Sequence, residues 1–263
     1  MKRETYSEIY YSLKRPEDIK REAERTGLSE ELMLVIYTQK TVRYATKDYY
    51  QIVEMAPSLV SRWQRGESMV KIARRLNFPP ILLGLILSSQ RGIGRKRFWK
   101  MVREPESVED RRLRTEMESI RKADILYSPE GSEVQKQRGI KGEEKLARWL
   151  TEHNITYQTE KDLRGKFPKT PDFLLDEPLS HDGLKIKWID SKASFGDDIE
   201  IRKNNRKQFH QYVDLFGDGM VLYWFGIIDD IKGDGRVIIG DHGILRQLEH
   251  EIGETVRRST AEK

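Results

Sequence analysis

Two aspartates and a lysine stand where a short β-hairpin would bring them together. They lie in Thr170-Pro171-Asp172-Phe173 and in Ile189-Asp190-Ser191-Lys192-Ala193, with the aspartates eighteen residues apart. The run Lys185-Ile-Lys-Trp-Ile-Asp-Ser-Lys-Ala193 is rich in β-branched and aromatic residues, which predicts a strand. Strand side chains alternate faces, so Asp190 and Lys192 project to one side while Ser191 points away. Asp172 follows a proline at the head of Phe173-Leu174-Leu175, a run placed to pair with that strand. Two acids held together bind a hard divalent cation through oxygen. A neighbouring ammonium then positions a water or stabilises charge building on a phosphate. That is the chemistry of metal-dependent phosphodiester cleavage. Taken singly, each residue also has a plain structural reading: a turn aspartate after Pro171, an exposed strand lysine at 192.

The pattern resembles the PD-(D/E)xK nuclease superfamily, with Pro171-Asp172 as its first half and Asp190-Ser191-Lys192 as its second. Thr170 ahead of the proline narrows the resemblance to the TPD-motif family, in an archaeal-type form. Its specific part covers about Gly139 to Tyr212. The resemblance implies a Holliday junction resolvase-like C-terminal half preceded by helix-turn-helix-like segments. It also implies Mg²⁺ or Mn²⁺ as cofactor, with Asp172 and Asp190 as principal ligands and the Ser191 carbonyl as a further one. Lys192 then orients the attacking water or stabilises the phosphate.

Nucleases of this kind take one more acid from the helix before the first core strand, and Glu143 and Glu144 compete for that place. Glu143 is three, four and seven residues from Leu146, Ala147 and Leu150, so it shares the face that packs on the sheet. Glu144 points closer to Arg148 and solvent. Either could instead simply complement a helix N-terminus. Further along, Gln208 and Tyr212 share a helix face and resemble a Gln-x-x-x-Tyr element of several branches of the superfamily, where it supports the site or contacts nucleic acid. We take Gln208 as a catalytic residue and Tyr212 as a nucleic-acid contact. His153, His181, His210, His242 and His250 show no His-x-x-x-His spacing, which argues against zinc.

The expected fold class is α/β. A helical, helix-turn-helix-like region over residues 1–127 precedes an αβββαβ nuclease core of the restriction-endonuclease type over 128–263, the boundary falling at Ser128-Pro-Glu-Gly-Ser132. In the first half, Pro16–Arg25 and a segment opening at Ser29 form one helical pair. A second pair begins after Pro57, where Ser58 can cap a helix, and continues through Ser68–Leu76 to the apolar Ile81–Leu87. In the second half, helices are expected over Gly139–His153, Ile199–Phe216 and Ile244–Ile252. Strands are expected at Ile155–Gln158, around Asp172 and Asp190, and over Gly219–Phe225 and Arg236–Ile239.

Of the 263 residues, 35% are charged, and the charge is uneven. Residues 1–127 carry 26 Lys and Arg against 18 Asp and Glu; residues 128–263 carry 22 against 25. A basic first half suits a phosphate backbone, although a solvated surface would also be charged. Arg91-Gly-Ile-Gly-Arg95-Lys96-Arg97-Phe98-Trp99-Lys100 is its densest stretch, and Arg91, Arg95, Lys96 and Arg97 are the expected phosphate contacts. There is no cysteine, so disulfides and thiolate metal sites are excluded. No signal-like or membrane-spanning run is evident, so a soluble protein is expected, cytoplasmic and nucleoid-associated, or nuclear in a eukaryote. The leading expectation is a metal-dependent DNA nuclease acting on duplex or branched DNA. The alternatives are a non-catalytic DNA-binding adaptor on a nuclease fold and an RNA-processing nuclease. Homodimers are familiar among the resembled resolvases, and a protein partner is associated with the family only by analogy.

Overall fold

The computed structural model describes residues 1–261, with side chains through Ile252. The chain forms two compact units that interleave along the sequence. One comprises Met1–Leu13, Lys20–Ile36 and Gln137–Lys263; the other comprises Lys14–Ile19 and Tyr37–Lys136.

The second unit is helical. It contains most of α3 (Glu30–Gln64), followed by α4 (Met69–Leu76), α5 (Pro80–Gln90), α6 (Arg95–Arg103) and α7 (Arg111–Ala123). The sequence of α5, Pro-Ile-Leu-Leu-Gly-Leu-Ile-Leu-Ser-Ser-Gln, is apolar on every side. A helix of that kind belongs in a core, and Ile81, Leu83 and Leu87 are fully buried. Its N-terminus follows Pro79, whose side chain cannot cap it. The Asp124 carboxylate does so from elsewhere in the chain, accepting from the Ile81 N–H at 3.0 Å. The Glu116 carboxylate likewise accepts from the Met69 N–H at 2.9 Å and fixes the start of α4.

Two expectations for this region are corrected. No helix opens at Ser58: α3 runs unbroken past Pro57, which is exposed in its interior, and the Ser58 hydroxyl donates to the Met55 carbonyl at 2.8 Å. Packing along α3, where Ala56, Leu59 and Trp63 are buried, overrides the local break. The pair α4–α5 has the expected helix, turn and helix, with Asn77 left-handed between them. Yet α5 is the core helix and offers little free face to a groove.

The Ser128–Ser132 stretch is a helix start and no linker. Pro129 begins α8 (Pro129–Glu152), and the Ser128 hydroxyl accepts from the Gly131 N–H at 3.0 Å. A Cβ at Gly131 would meet the Ile125 carbonyl oxygen at 2.3 Å, so close backbone approach rather than a hinge explains this glycine.

The first unit carries a five-stranded mixed sheet in the order β1-β2-β3-β4-β5. The strands are β1 (Tyr157–Thr159), β2 (Phe173–His181), β3 (Leu184–Lys192), β4 (Gly219–Tyr223) and β5 (Val237–Gly240), with the short α9 (Glu160–Leu163) after β1. β1, β2 and β3 pair antiparallel; β3, β4 and β5 pair parallel. Helices α10 (Asp198–Asn204) and α11 (His210–Phe216) cross from β3 to β4, joined by a π-turn over Asn205–Phe209. Strand alternation sorts the core into two layers. Ile189, Met220 and Leu222 pack with Leu146, Trp149 and Leu150 of α8 and with α12 (His242–Ala261). Trp188, Val221 and Tyr223 pack with Ile201, Phe209 and Tyr212 on the other face.

The remaining helices of this unit are α1 (Arg3–Ser12) and α2 (Asp18–Thr26). Tyr6 of α1 stacks on Phe195 with ring centroids 5.0 Å apart, and Arg3 pairs with Asp230 at 2.7 Å. A cut at 127/128 would therefore strip the sheet-bearing unit of its own N-terminal segments.

Pro57 is exposed, so replacing it loses little packing. Pro57→Ala should stabilise the chain by about 1–3 kcal/mol by restoring a helical hydrogen bond. Urea midpoints at unchanged m-value would read this directly. An unchanged or lowered midpoint would show that α3 is bent to suit the proline.

Candidate active site

Register brings the two aspartates together. Phe173, the first residue of β2, pairs with Ile189, so one further step sets Asp172 opposite Asp190. The Asp172 Oδ2 accepts from the Ser191 N–H at 2.7 Å. In a strand the N–H and C=O of one residue face the same neighbour. The Ser191 carbonyl therefore also faces Asp172, beyond the end of β2. Lys192 lies on the same strand face as Asp190 and forms an ion pair with its Oδ1. Its ammonium stands 5.6 Å from the Phe209 ring centroid. Ser191 leaves the opposite face, as the alternation predicts, and its Oγ accepts from Trp224 Nε1 at 2.8 Å.

Burial and like charge govern the electrostatics. Asp190 is 1% exposed. Burial raises its carboxyl above the usual range, although Lys192 and the Tyr212 hydroxyl pull the other way. Asp172 is pushed up to about 7, first by burial and then by Asp190. Burial alone would lower the Lys192 ammonium, but Asp190 and Asp172 together hold it above its ordinary value, so it stays charged near neutrality. Tyr212 is 3% exposed and packs edge-on to Trp188 at 5.2 Å, and its hydroxyl pulls the Asp190 carboxyl down. This replaces the expected nucleic-acid contact at Tyr212: the residue is a buried support for Asp190.

Glu143 is exposed on α8, yet its carboxyl is raised by partial desolvation and then by Glu160 and Asp190. Asp172 feels Glu143 in turn. Glu143 thus feels the charge of Glu160 and Asp190. Sequence reasoning missed Glu160, which opens α9 directly after β1 and adds negative charge to Glu143, Asp190 and Tyr212. The signal was the Thr159-x-x-Asp162 capping box, which fixes the helix start that aims it. Gln208 is half-buried within the π-turn and makes no side-chain hydrogen bond among the described residues.

The donor set fits a hard divalent cation: carboxylates at 172, 190 and 143, a backbone carbonyl at 191, and no sulfur or imidazole. The three carboxylates do not form a group with ligand atoms within 4.8 Å of one another among the described residues. One tighter group occurs among the described residues, His181, Asp182 and Glu251, with ligand atoms within 4.8 Å. It is held by a hydrogen bond at the end of β2, His181 Nδ1 lying 2.9 Å from Glu251 Oε2.

In the helical unit, Arg95, Lys96 and Arg97 form the exposed first turn of α6. Cations there oppose the helix dipole and stabilise nothing locally. Arg91 is exposed and stacks over Trp63 at 4.5 Å, with Arg112 at 4.6 Å. Phe98 is buried and Trp99 half-buried.

Comparison with known proteins agrees with the Thr170-Pro171-Asp172 signature. The family described as "Protein of unknown function TPD sequence-motif" matches residues 109–243, and the chain belongs to it. The chain is also similar to proteins named CDAN1-interacting nuclease 1. The one from Danio rerio is 38% identical over 132 residues, covering 50% of this chain and 44% of the relative. The Homo sapiens protein is 36% identical over 132 residues, covering 50% and 47%. The Mus musculus alignment is longer, 27% identical over 220 residues, covering 77% and 78%. The chain thus spans less than half the length of the Danio rerio and Homo sapiens relatives it matches. No solved structure matches. No helix among the described residues is long and apolar enough to cross a membrane.

The raised Asp172 carboxyl gives a signed prediction. Its folded value lies near 7 and its ordinary value at 3.8, so the folded state holds the proton more tightly. In metal-free protein its contribution is favourable at acid pH and is lost as pH rises from about 4 to about 7. Asp172→Asn removes that loss. In EDTA the variant should exceed the parent in stability by about 1–3 kcal/mol at pH 8 and by much less at pH 4. Urea unfolding across this range checks it, and a pH-independent difference would contradict the proposed repulsion.

Proposed function

We propose that this chain is a metal-dependent nuclease of the PD-(D/E)xK type that hydrolyses phosphodiester bonds in duplex or branched DNA. The observation that carries the reading is the buried Asp190 with the half-buried Asp172 set opposite it and Lys192 on the same strand face as Asp190. A purely structural role gives no reason to desolvate two like charges side by side. The name nuclease borne by the relatives supports the same class.

Asp172, Asp190, Glu143 and the Ser191 carbonyl would hold Mg²⁺ or Mn²⁺. When bound, such an ion neutralises charge on the phosphate and makes a coordinated water more acidic. The chain's own groups do the rest. Lys192, kept protonated by the two aspartates, donates hydrogen bonds to the attacking water or a phosphate oxygen and is no proton acceptor while charged. Tyr212 orients Asp190 from beneath, and the Ser191 N–H fixes Asp172. Gln208, in the π-turn beside Phe209, is the remaining polar side chain proposed to face substrate. In the helical unit, the exposed Arg95-Lys96-Arg97 turn with Arg91 supplies sequence-independent attraction to phosphates.

Labelled duplex, flap, junction and RNA substrates, each with Mg²⁺, Mn²⁺ or EDTA, test this reading. Cleavage should require the metal, and full activity in EDTA would sink the mechanism. Asp172→Asn and Asp190→Asn should each slow cleavage by at least roughly two orders of magnitude with little loss of DNA affinity. Glu143→Gln should cripple cleavage at limiting Mn²⁺, whereas Glu144→Gln should be near neutral. A dead Glu144→Gln beside an active Glu143→Gln would reverse that assignment. Replacing Arg95, Lys96 and Arg97 with Ala should weaken DNA binding across sequences and reduce the salt slope by up to about 3. An unchanged slope would assign the grip elsewhere.

A further inference from the structure

The sheet-bearing unit has a pocket of about 500 Å³ that the hydrolytic site does not use. Helix α8 lines one side with Arg138, Lys141, Gly142 and Lys145, and the segment after β4 lines another with Trp224 and Phe225. The volume is that of a small-ligand site. Its charge is one-sided: three cations and His242 face the single acid Glu31.

Arg138 is the telling residue. Its side chain is only 8% exposed, and its Nε makes no hydrogen bond, Glu31 Oε1 standing 3.5 Å away. Burial lowers its pKa, with Glu31 offsetting only part. A buried, under-compensated guanidinium is costly unless an anion completes it. Flat apolar surface accompanies the charge. The Arg138 guanidinium lies 5.4 Å from the Phe225 ring centroid and the Lys145 ammonium 5.5 Å from that of Trp224. Aromatic rings interleaved with phosphate-binding cations are what a single nucleotide needs: a face to stack on and charge for its phosphate.

The pocket is also tied to the catalytic strand. A Cβ at Gly142 would meet Trp224 Nε1 at 2.6 Å, so only glycine lets α8 close on that indole. The same Nε1 donates to the Ser191 Oγ, from the residue between Asp190 and Lys192. All these groups gather at the carboxyl ends of the parallel strands β3 and β4, where open sheets take their ligands.

We propose that this pocket binds one terminal nucleotide of the substrate strand, its base against Trp224 and Phe225 and its phosphate among Arg138, Lys141 and Lys145. The inference rests on the nuclease reading for its substrate and makes the enzyme sensitive to strand ends.

The test is binding, not cleavage, so the two readings fail separately. The full chain in EDTA is titrated with dAMP, deoxyadenosine and inorganic phosphate by calorimetry. We expect dAMP to bind with one-to-one stoichiometry, and deoxyadenosine and phosphate each to bind at least roughly tenfold more weakly. Lys141→Ala with Lys145→Ala, both exposed positions, should weaken dAMP at least roughly tenfold with an unchanged thermal melt. Asp172→Asn should bind dAMP as the parent does. No heat with dAMP at about 5 mM, a concentration that fills millimolar sites, overturns the proposal. So does phosphate binding as tightly as dAMP, or full affinity in the double variant. Absence of cleavage on every substrate, with dAMP still bound, would remove the nuclease reading and leave a nucleotide pocket.

Discussion

Asp190 holds a carboxylate at the end of a central strand with 1% of its surface exposed. A charge so placed is expensive unless every lone pair has a use, and its surroundings can be understood as answers to that cost. Lys192, two residues on, returns along the same face to pair with it. Tyr212 brings a hydroxyl from α11. Asp172 adds to the difficulty, because antiparallel register sets it opposite with the same sign. Like charges across a ladder repel. Within the chain, Lys192 offsets one of the two charges, and the raised Asp172 carboxyl records the repulsion that remains.

The helix behind the site is shaped by the same demand. Between α10 and α11 the backbone widens into a π-turn at Asn205–Phe209. One extra residue in the turn lets Phe209 face the Lys192 ammonium while Tyr212, three positions later, still meets Asp190 and the Trp188 ring. Such turns in other helices often accompany functional positions. On the other face, Ser191 and Trp224 link β3 to the strand that follows the crossover. A strand that must present Asp190 and Lys192 in one direction is thereby anchored from the opposite one.

Much of this was legible in the residues. Period-two alternation put Asp190 and Lys192 together and Ser191 apart, a local rule that neighbouring packing did not disturb. Signals of chain direction were less secure. Pro57 and Ser58 carried the marks of a helix start, but the buried face of α3, with Ala56, Leu59 and Trp63 on it, outweighed one proline. Ser128 and Pro129 looked like a hinge and proved to be the start of α8, since the same residue types serve both ends. Tyr212 was assigned a substrate contact because its spacing from Gln208 was visible, whereas the depth at which Trp188 buries it was not. Arg138 and Trp224 escaped notice entirely: they are 86 residues apart, and only the packing of α8 against the end of β4 brings them together.

The interleaved units set an order on synthesis. Every residue of the helical unit has been made once the chain reaches Lys136, whereas the sheet needs β5, which ends at Gly240. At about 5–20 residues per second, that delay lasts roughly 5–20 s. Throughout it, α1 is finished but waits for partners such as Asp230, 227 positions downstream of Arg3. Its Tyr6 face, with Tyr10 and the wholly buried Ile9 alongside, is without its final cover while the ribosome works. A nascent chain held in that state offers apolar surface to chaperones, and slowing translation between Lys136 and Gly240 would lengthen the exposure.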